Sequence, residues 1–171
     1  MLQLSGNLLS KPVLSLRTNG PVAQIIGPII NPDSLKIEGF YCQDRFDKTN
    51  LVLLVQDIRD LLPQGFVIDD HDVLSEPDDL VRLREVIDLN FTLVGKQVVT
   101  VSKQKLGRVS DYAVETSSMF IQKLYVSQPL LKSFAGGSLS VDRSQVQEVT
   151  PQRIVITDPL RKVPAAAAAA A

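Results

Sequence analysis

Residues 95–101 read GKQVVTV and residues 10–16 read SKPVLSL. The two stretches align at an offset of 85, with Lys11 on Lys96, Val13 on Val98, Ser15 on Thr100 and Leu16 on Val101. One residue fewer in the following turn makes the offset 84. Val22 then falls on Leu106, Ile25 on Val109, Ile30 on Val114, Ile37 on Ile121 and Tyr41 on Tyr125. Further on, PQGFVI at 63–68 meets PQRIVI at 151–156 at an offset of 88. Apolar positions persist while turn lengths vary, as duplication of a buried core requires.

Each copy reads as β structure. PVLSL and QVVTV are short runs with β-branched residues. TNGP at 18–21 carries Asn-Gly, a tight-hairpin signal because both residues tolerate positive φ, and SKQKLG at 102–107 takes the same place in the second copy. VAQIIGPII and GRVSDYAV are second strands, the first bulged at Gly27 and Pro28 because proline cannot donate in a central ladder. NPDS (31–34) and ETSS (115–118) are turns, and LKIEGFYC and MFIQKLYV are third strands. LVLLV and GSLSV follow as strands, then a short helical turn and loop, then FVI and IVI as closing strands. Short strands with one apolar face favour rolling up over exposing edges.

Between the copies, SEPDDLVRLREVIDLN reads as a helix. Ser75 is the expected N-cap, Pro77 lies in the first turn, Asp78 and Asp79 suit the positive end of the dipole, and Leu80, Leu83, Val86 and Ile87 form a stripe. The expectation is therefore a mainly β protein: two tandem small barrels, residues 1–74 and 91–160, joined by one α-helix over 75–90. A tail over 161–171 ends in seven alanines that encode no recognition surface.

Composition narrows the class. The 171 residues are 44% hydrophobic and 22% charged, ordinary for a globular protein, and without Trp the core must be built mostly from Val, Ile and Leu. Net charge is −1 but unevenly spread. Residues 44–90 hold twelve acidic and five basic side chains, a balance of −7, whereas residues 94–132 hold six basic and two acidic, a balance of +4. That asymmetry could orient a partner or pair two copies head to tail, giving a homo-oligomer. Cys42 is the only cysteine, which excludes an internal disulfide and a cysteine zinc site; inside a strand pattern it reads as a buried small hydrophobe. No apolar run nears the ~20 residues of a membrane helix, and the start of the chain lacks a signal-peptide pattern, so no membrane insertion and a cytoplasmic location are expected.

The pattern GK-x-V, a turn, then LG-x-V-x-D-x-x-V resembles the PRC-barrel, the small β-barrel of the photosynthetic reaction-centre H subunit and of a ribosome maturation factor. The second copy carries it on Gly95, Lys96, Val98, Leu106, Gly107, Val109, Asp111 and Val114; the first departs, with Ala23 and Gly27 at the places of Gly107 and Asp111. The resemblance spans about residues 5–158. It implies a docking or assembly module with a protein partner, and no cofactor. One branch of the family implies contact with a ribosomal protein or RNA.

Candidate chemistry is sparse. Asp69, Asp70, His71 and Asp72 are adjacent, and His71 is the sole histidine. Carboxylates beside an imidazole suit a divalent metal, a general base or a small-molecule site centred on Asp69–Asp72, yet four consecutive side chains cannot converge on one ion, so a polar turn is the favoured reading. No G-x-S-x-G occurs, and AGGS at 135–138 lacks a P-loop lysine. The expectation is a non-enzymatic protein whose contact surface is Lys96, Lys103, Lys105, Arg108 and Lys123 of the second copy together with the groove between the copies near the linker helix, with Tyr112, Phe120 and Tyr125 nearby should the partner be RNA.

Overall fold

The computed structural model describes residues 1–128 and 138–158; Lys132, most of the AGGS stretch and the 161–171 tail lie outside them. The chain opens with β1 (Leu2–Leu4) and a single turn of helix, α1 (Ser5–Leu8). The first copy then forms β2 (Pro12–Ser15), β3 (Gly20–Asn31), β4 (Lys36–Asp44), β5 (Asn50–Leu54), β6 (Asp60–Leu62) and β7 (Gly65–Ile68). After α2 (Arg84–Leu89) the second copy forms β8 (Gln97–Thr100), β9 (Lys105–Glu115), β10 (Phe120–Ser127), β11 (Ser138–Asp142), β12 (Val146–Val149) and β13 (Arg153–Ile156).

The protein is mainly β, as expected. Its strands make one mixed sheet along the path β12-β13-β8-β9-β10-β4-β3-β2-β7-β6, with β1 on β9, β11 on β10 and β5 on β4. Among the described residues the path is open at both ends and is not closed into a barrel.

The duplication seen in the sequence is a duplication of register. β3 pairs with β4 through Ile25↔Cys42, Gly27↔Tyr41 and Ile30↔Ile37; β9 pairs with β10 through Val109↔Val126, Asp111↔Tyr125 and Val114↔Ile121. Every one of these pairs is related by 84. The bulge falls at Ile26 in one copy and at Ser110 in the other, so it does not depend on the Gly27-Pro28 that suggested it. β2 runs parallel to β7 with Val13↔Phe66, and β8 runs parallel to β13 with Val98↔Ile154. Backbone hydrogen bonds repeat as well: Ile25 N–H donates to the Lys11 carbonyl (3.0 Å), and Val109 N–H to the Lys96 carbonyl (2.9 Å).

The two copies meet across a local two-fold. β4 and β10 pair only at Lys36↔Phe120, which are each other's counterparts. On either side, Ile37 N–H donates to the Met119 carbonyl (2.9 Å) and Ile121 N–H to the Leu35 carbonyl (2.8 Å). Leu35 (φ 51°) and Met119 (φ 59°) both adopt the left-handed conformation there and are buried.

Each copy also receives the segment that leads into the other. β1 adds to the second copy's β9, with Gln3 opposite Val114, and α1 packs on β9. Conversely α2, which leads into the second copy, packs on β3 of the first. Leu8 and Leu93, counterparts at an offset of 85, are both buried in a core cluster that runs through both copies.

Two local expectations are corrected. The helix over 75–90 is confined to Arg84–Leu89. Ser75 cannot cap it because its backbone bridges Val52 in both directions (2.8 and 3.0 Å), and Pro77–Asp79 make a separate 3-10 turn. The Leu80, Leu83, Val86 and Ile87 stripe is only half-buried, too little apolar contact to hold a longer helix. The β2–β3 connection is not a two-residue hairpin either, since Ser15 pairs with Gly20 and only Asn19 has positive φ (54°). Leu16 and Arg17 instead donate backbone N–H groups to the Ile68 and Asp69 carbonyls (3.0 and 3.1 Å), which carries the strand past its hairpin partner and widens the loop.

Candidate functional site

The five predicted contact residues come to the second copy, but they are not equally available. Lys96 donates its Nζ to the Pro151 carbonyl and lies 5.2 Å from the Phe91 ring centroid. Arg108 donates Nη1 to the Gly95 carbonyl at 2.9 Å. Lys123, half-buried on β10, is 3.8 Å from Asp142 on neighbouring β11. Lys103 and Lys105 remain, both exposed at the β8–β9 connection, where Lys103 holds positive φ (67°) and Val101 is 57% exposed. The sheet thus presents two ammonium groups and one exposed aliphatic side chain at this connection.

The same loop in the first copy has different chemistry. Leu16 stands at the place of Val101 and is likewise exposed, but its neighbour Arg17 donates Nη1 to Asp70 at 2.7 Å. Among the described residues, one loop therefore has its cation paired with a carboxylate and the other does not. Two of the nearby aromatics are engaged: Tyr112 is buried, with its phenol pKa pushed up by burial, and the Phe120 ring centroid has the Lys36 ammonium at 5.7 Å and the Arg143 guanidinium at 4.1 Å.

The acidic stretch beside His71 is dispersed. Asp69 accepts from Arg59 Nε (2.9 Å) and Nη2 (2.6 Å), and that pairing holds its carboxyl below the usual range. Asp70 accepts from the His71 backbone N–H (2.8 Å), from Arg17 and from the Ser15 hydroxyl (3.2 Å), and is held low first by that backbone bond and then by Arg17. The His71 ring turns away from these neighbours and hydrogen-bonds through Nε2 to Asp44. Among the described residues, no group of three or more His, Cys, Asp or Glu side chains is placed to share a metal ion.

Asp44 is the residue that the sequence reading missed. It is 3% exposed at the end of β4. Burial alone would raise its pKa, but the His71 ring and the backbone N–H groups of Phe46 (2.6 Å) and Asp47 (3.2 Å) outweigh that and hold the carboxyl below its usual value. Only an Asp opening the turn DRFDKT pointed to it in sequence; its partner lies 27 positions away. Cys42 is fully buried and its thiol is pushed up to about 12, chiefly by burial, so it is held as the neutral thiol.

Asp111 has a structural task. Its carboxylate accepts from the Ser5 hydroxyl and from the Tyr112 backbone N–H (2.7 Å), tying α1 to β9. Beside it the chain's first ammonium pairs with Glu115.

No helix among the described residues is long and apolar enough to cross a membrane. No protein-family model matches the chain, and no curated protein matches it.

Proposed function

We propose that the chain is a non-catalytic contact protein, an adaptor or assembly factor, made of two modules of the PRC-barrel kind. The repeated strand plan supports the modular reading, since each copy carries an antiparallel meander whose first strand pairs in parallel with a later one. The observation that carries the contact reading is the difference between two equivalent loops. The β2–β3 loop has its cation paired by Asp70, whereas the β8–β9 loop leaves Lys103 and Lys105 exposed beside Val101. Both loops expose an aliphatic side chain, Leu16 or Val101, and a duplicated scaffold that retains its core while one copy's loop keeps its cations exposed beside that side chain has the composition of a docking surface.

The test is affinity capture from native lysate with mass spectrometry, comparing the wild-type chain with a Lys103→Glu/Lys105→Glu variant and with a Lys48→Glu control on the first copy. A partner kept by the control and lost by the double variant supports the reading, and ribosomal protein or RNA in that fraction would assign the ribosome-maturation branch. Identical capture by all three chains overturns it.

A further inference from the structure

Asn19-Gly20 is the one asparagine–glycine step in the chain, and it ends the loop between β2 and β3. Asn19 is exposed with φ 54°, and its side chain makes no hydrogen bond among the described residues. The rest of the loop is held: Leu16 and Arg17 donate to the Ile68 and Asp69 carbonyls, and Thr18 N–H donates to the Ser15 hydroxyl at 3.2 Å. Gly20 has no side chain to shield its amide nitrogen, and the nearest atom to the place of a Cβ, the Thr18 carbonyl oxygen, is 3.9 Å away. Gly20 pairs with Ser15 as the last rung of the β2–β3 ladder, where fraying frees that nitrogen most readily.

The other asparagines lack this combination. Asn7 precedes the buried Leu8 within α1, and Asn50 precedes the buried Leu51 within β5. Asn31 accepts the Asp33 N–H at 3.1 Å and is followed by Pro32, which has no amide proton to give up. Asn90 also has positive φ (45°), but the next residue is Phe91, packed against the core.

We propose that Asn19 is a site of spontaneous deamidation. The Gly20 amide loses its proton and its nitrogen attacks Asn19 Cγ; the Cγ–Nδ2 bond breaks, ammonia leaves carrying a proton, and a succinimide ring remains. Water then opens the ring at one carbonyl to give aspartate, or at the other to give isoaspartate, which runs the main chain through Cβ and Cγ. Residues 16–19 carry only the Arg17 charge, so conversion takes their formal balance from +1 to zero. It adds a carboxylate to a loop whose guanidinium already pairs with Asp70. Gln104 and Lys105 stand at the matching places of the second copy. Glutamine must close a larger ring, and the lysine side chain crowds its own amide, so the β8–β9 loop keeps its charge. Ageing of the molecule therefore widens the difference between the two loops.

The test is incubation of the full folded chain at mildly alkaline pH, with peptide mapping by mass spectrometry and labelling of isoaspartate by a protein isoaspartyl methyltransferase. The expected result is a gain of one mass unit at Asn19 before any other asparagine, divided between aspartate and labelled isoaspartate. Gly20→Ala should lose most of that conversion with Asn19 still in place; Gly20 lies outside the positive-φ range, so alanine fits there, and matching circular dichroism shows that it does. An Asn19 that stays intact in the folded chain, or that converts no sooner than Asn7, Asn31, Asn50 or Asn90, overturns the proposal. So does conversion that proceeds undiminished in Gly20→Ala.

Discussion

Gly107 shows how one backbone position separates the two copies. It sits on β9 with φ 145°, and a Cβ built there would lie 2.0 Å from the Ser127 carbonyl oxygen. Its counterpart Ala23 is buried on β3 with an ordinary φ, opposite Asp44. The glycine is thus required in one copy only, and Gly107→Ala should lower the urea midpoint by an amount equivalent to more than about 1 kcal/mol; an unchanged midpoint would show that β9 and β10 can move apart freely. Asp44 supplies the pH dependence. Its folded pKa lies below the ordinary carboxylate value, so its stabilising contribution is present above the unfolded pKa of about 3.9 and is lost as pH falls through the folded value. Asp69, Asp70 and Glu115 are held low too and act in the same direction. Stability should therefore decline below about pH 5, and Asp44→Asn should be less stable at neutral pH with a shallower acid decline. A variant whose acid limb parallels that of the wild type would remove Asp44 from this account.

At the scale of elements, the exchanged leading segments matter most. Leu8 and Leu93 occupy matched places just before β2 and β8 and are 1% and 2% exposed. Each should cost about 2–4 kcal/mol when cut to alanine, measured by urea unfolding, because a buried leucine loses both transfer energy and packing. A loss well under ~1 kcal/mol at Leu8 would mean that β1 and α1 lie on the sheet without stabilising it. The sequence made the repeat legible since Val, Ile and Leu recur at fixed offsets, and those offsets translate directly into strand register. It did not show that β1 crosses to β9: MLQLSGNL has no helical or strand periodicity of its own, and its partner lies more than 100 positions away. The short strands β6 and β12 were hidden for a related reason. DLL and VQEV are too brief to alternate clearly, and they form because β7 and β13 each offer an edge. The linker failed differently, for Ser75 has the chemistry of a cap but its backbone is committed to Val52. Among the site residues, the β8–β9 lysines were visible as a charge run, whereas which of them are already paired depends on carbonyls and carboxylates that only the folded register brings near.

For the whole molecule, three features bind the copies into one unfolding unit: the hydrogen bonds around Lys36↔Phe120, the exchanged leading segments, and a core cluster without a break between the copies. Two tethered but independent modules would unfold separately, each with its own stability. Here, removing one copy's structure also strips β3 of α2 and leaves β1 without β9. Cooperative opening is therefore expected to span both copies. Ile25 and Val109 are matched reporters, since their N–H groups make equivalent bonds to the Lys11 and Lys96 carbonyls. Native-state hydrogen exchange on Gly107→Ala, a change that touches only the second copy, should lower the protection of both amides by the same factor. If Val109 loses protection while Ile25 retains the wild-type value, the copies open independently, and the two-fold seam is a contact between finished modules instead of part of one core.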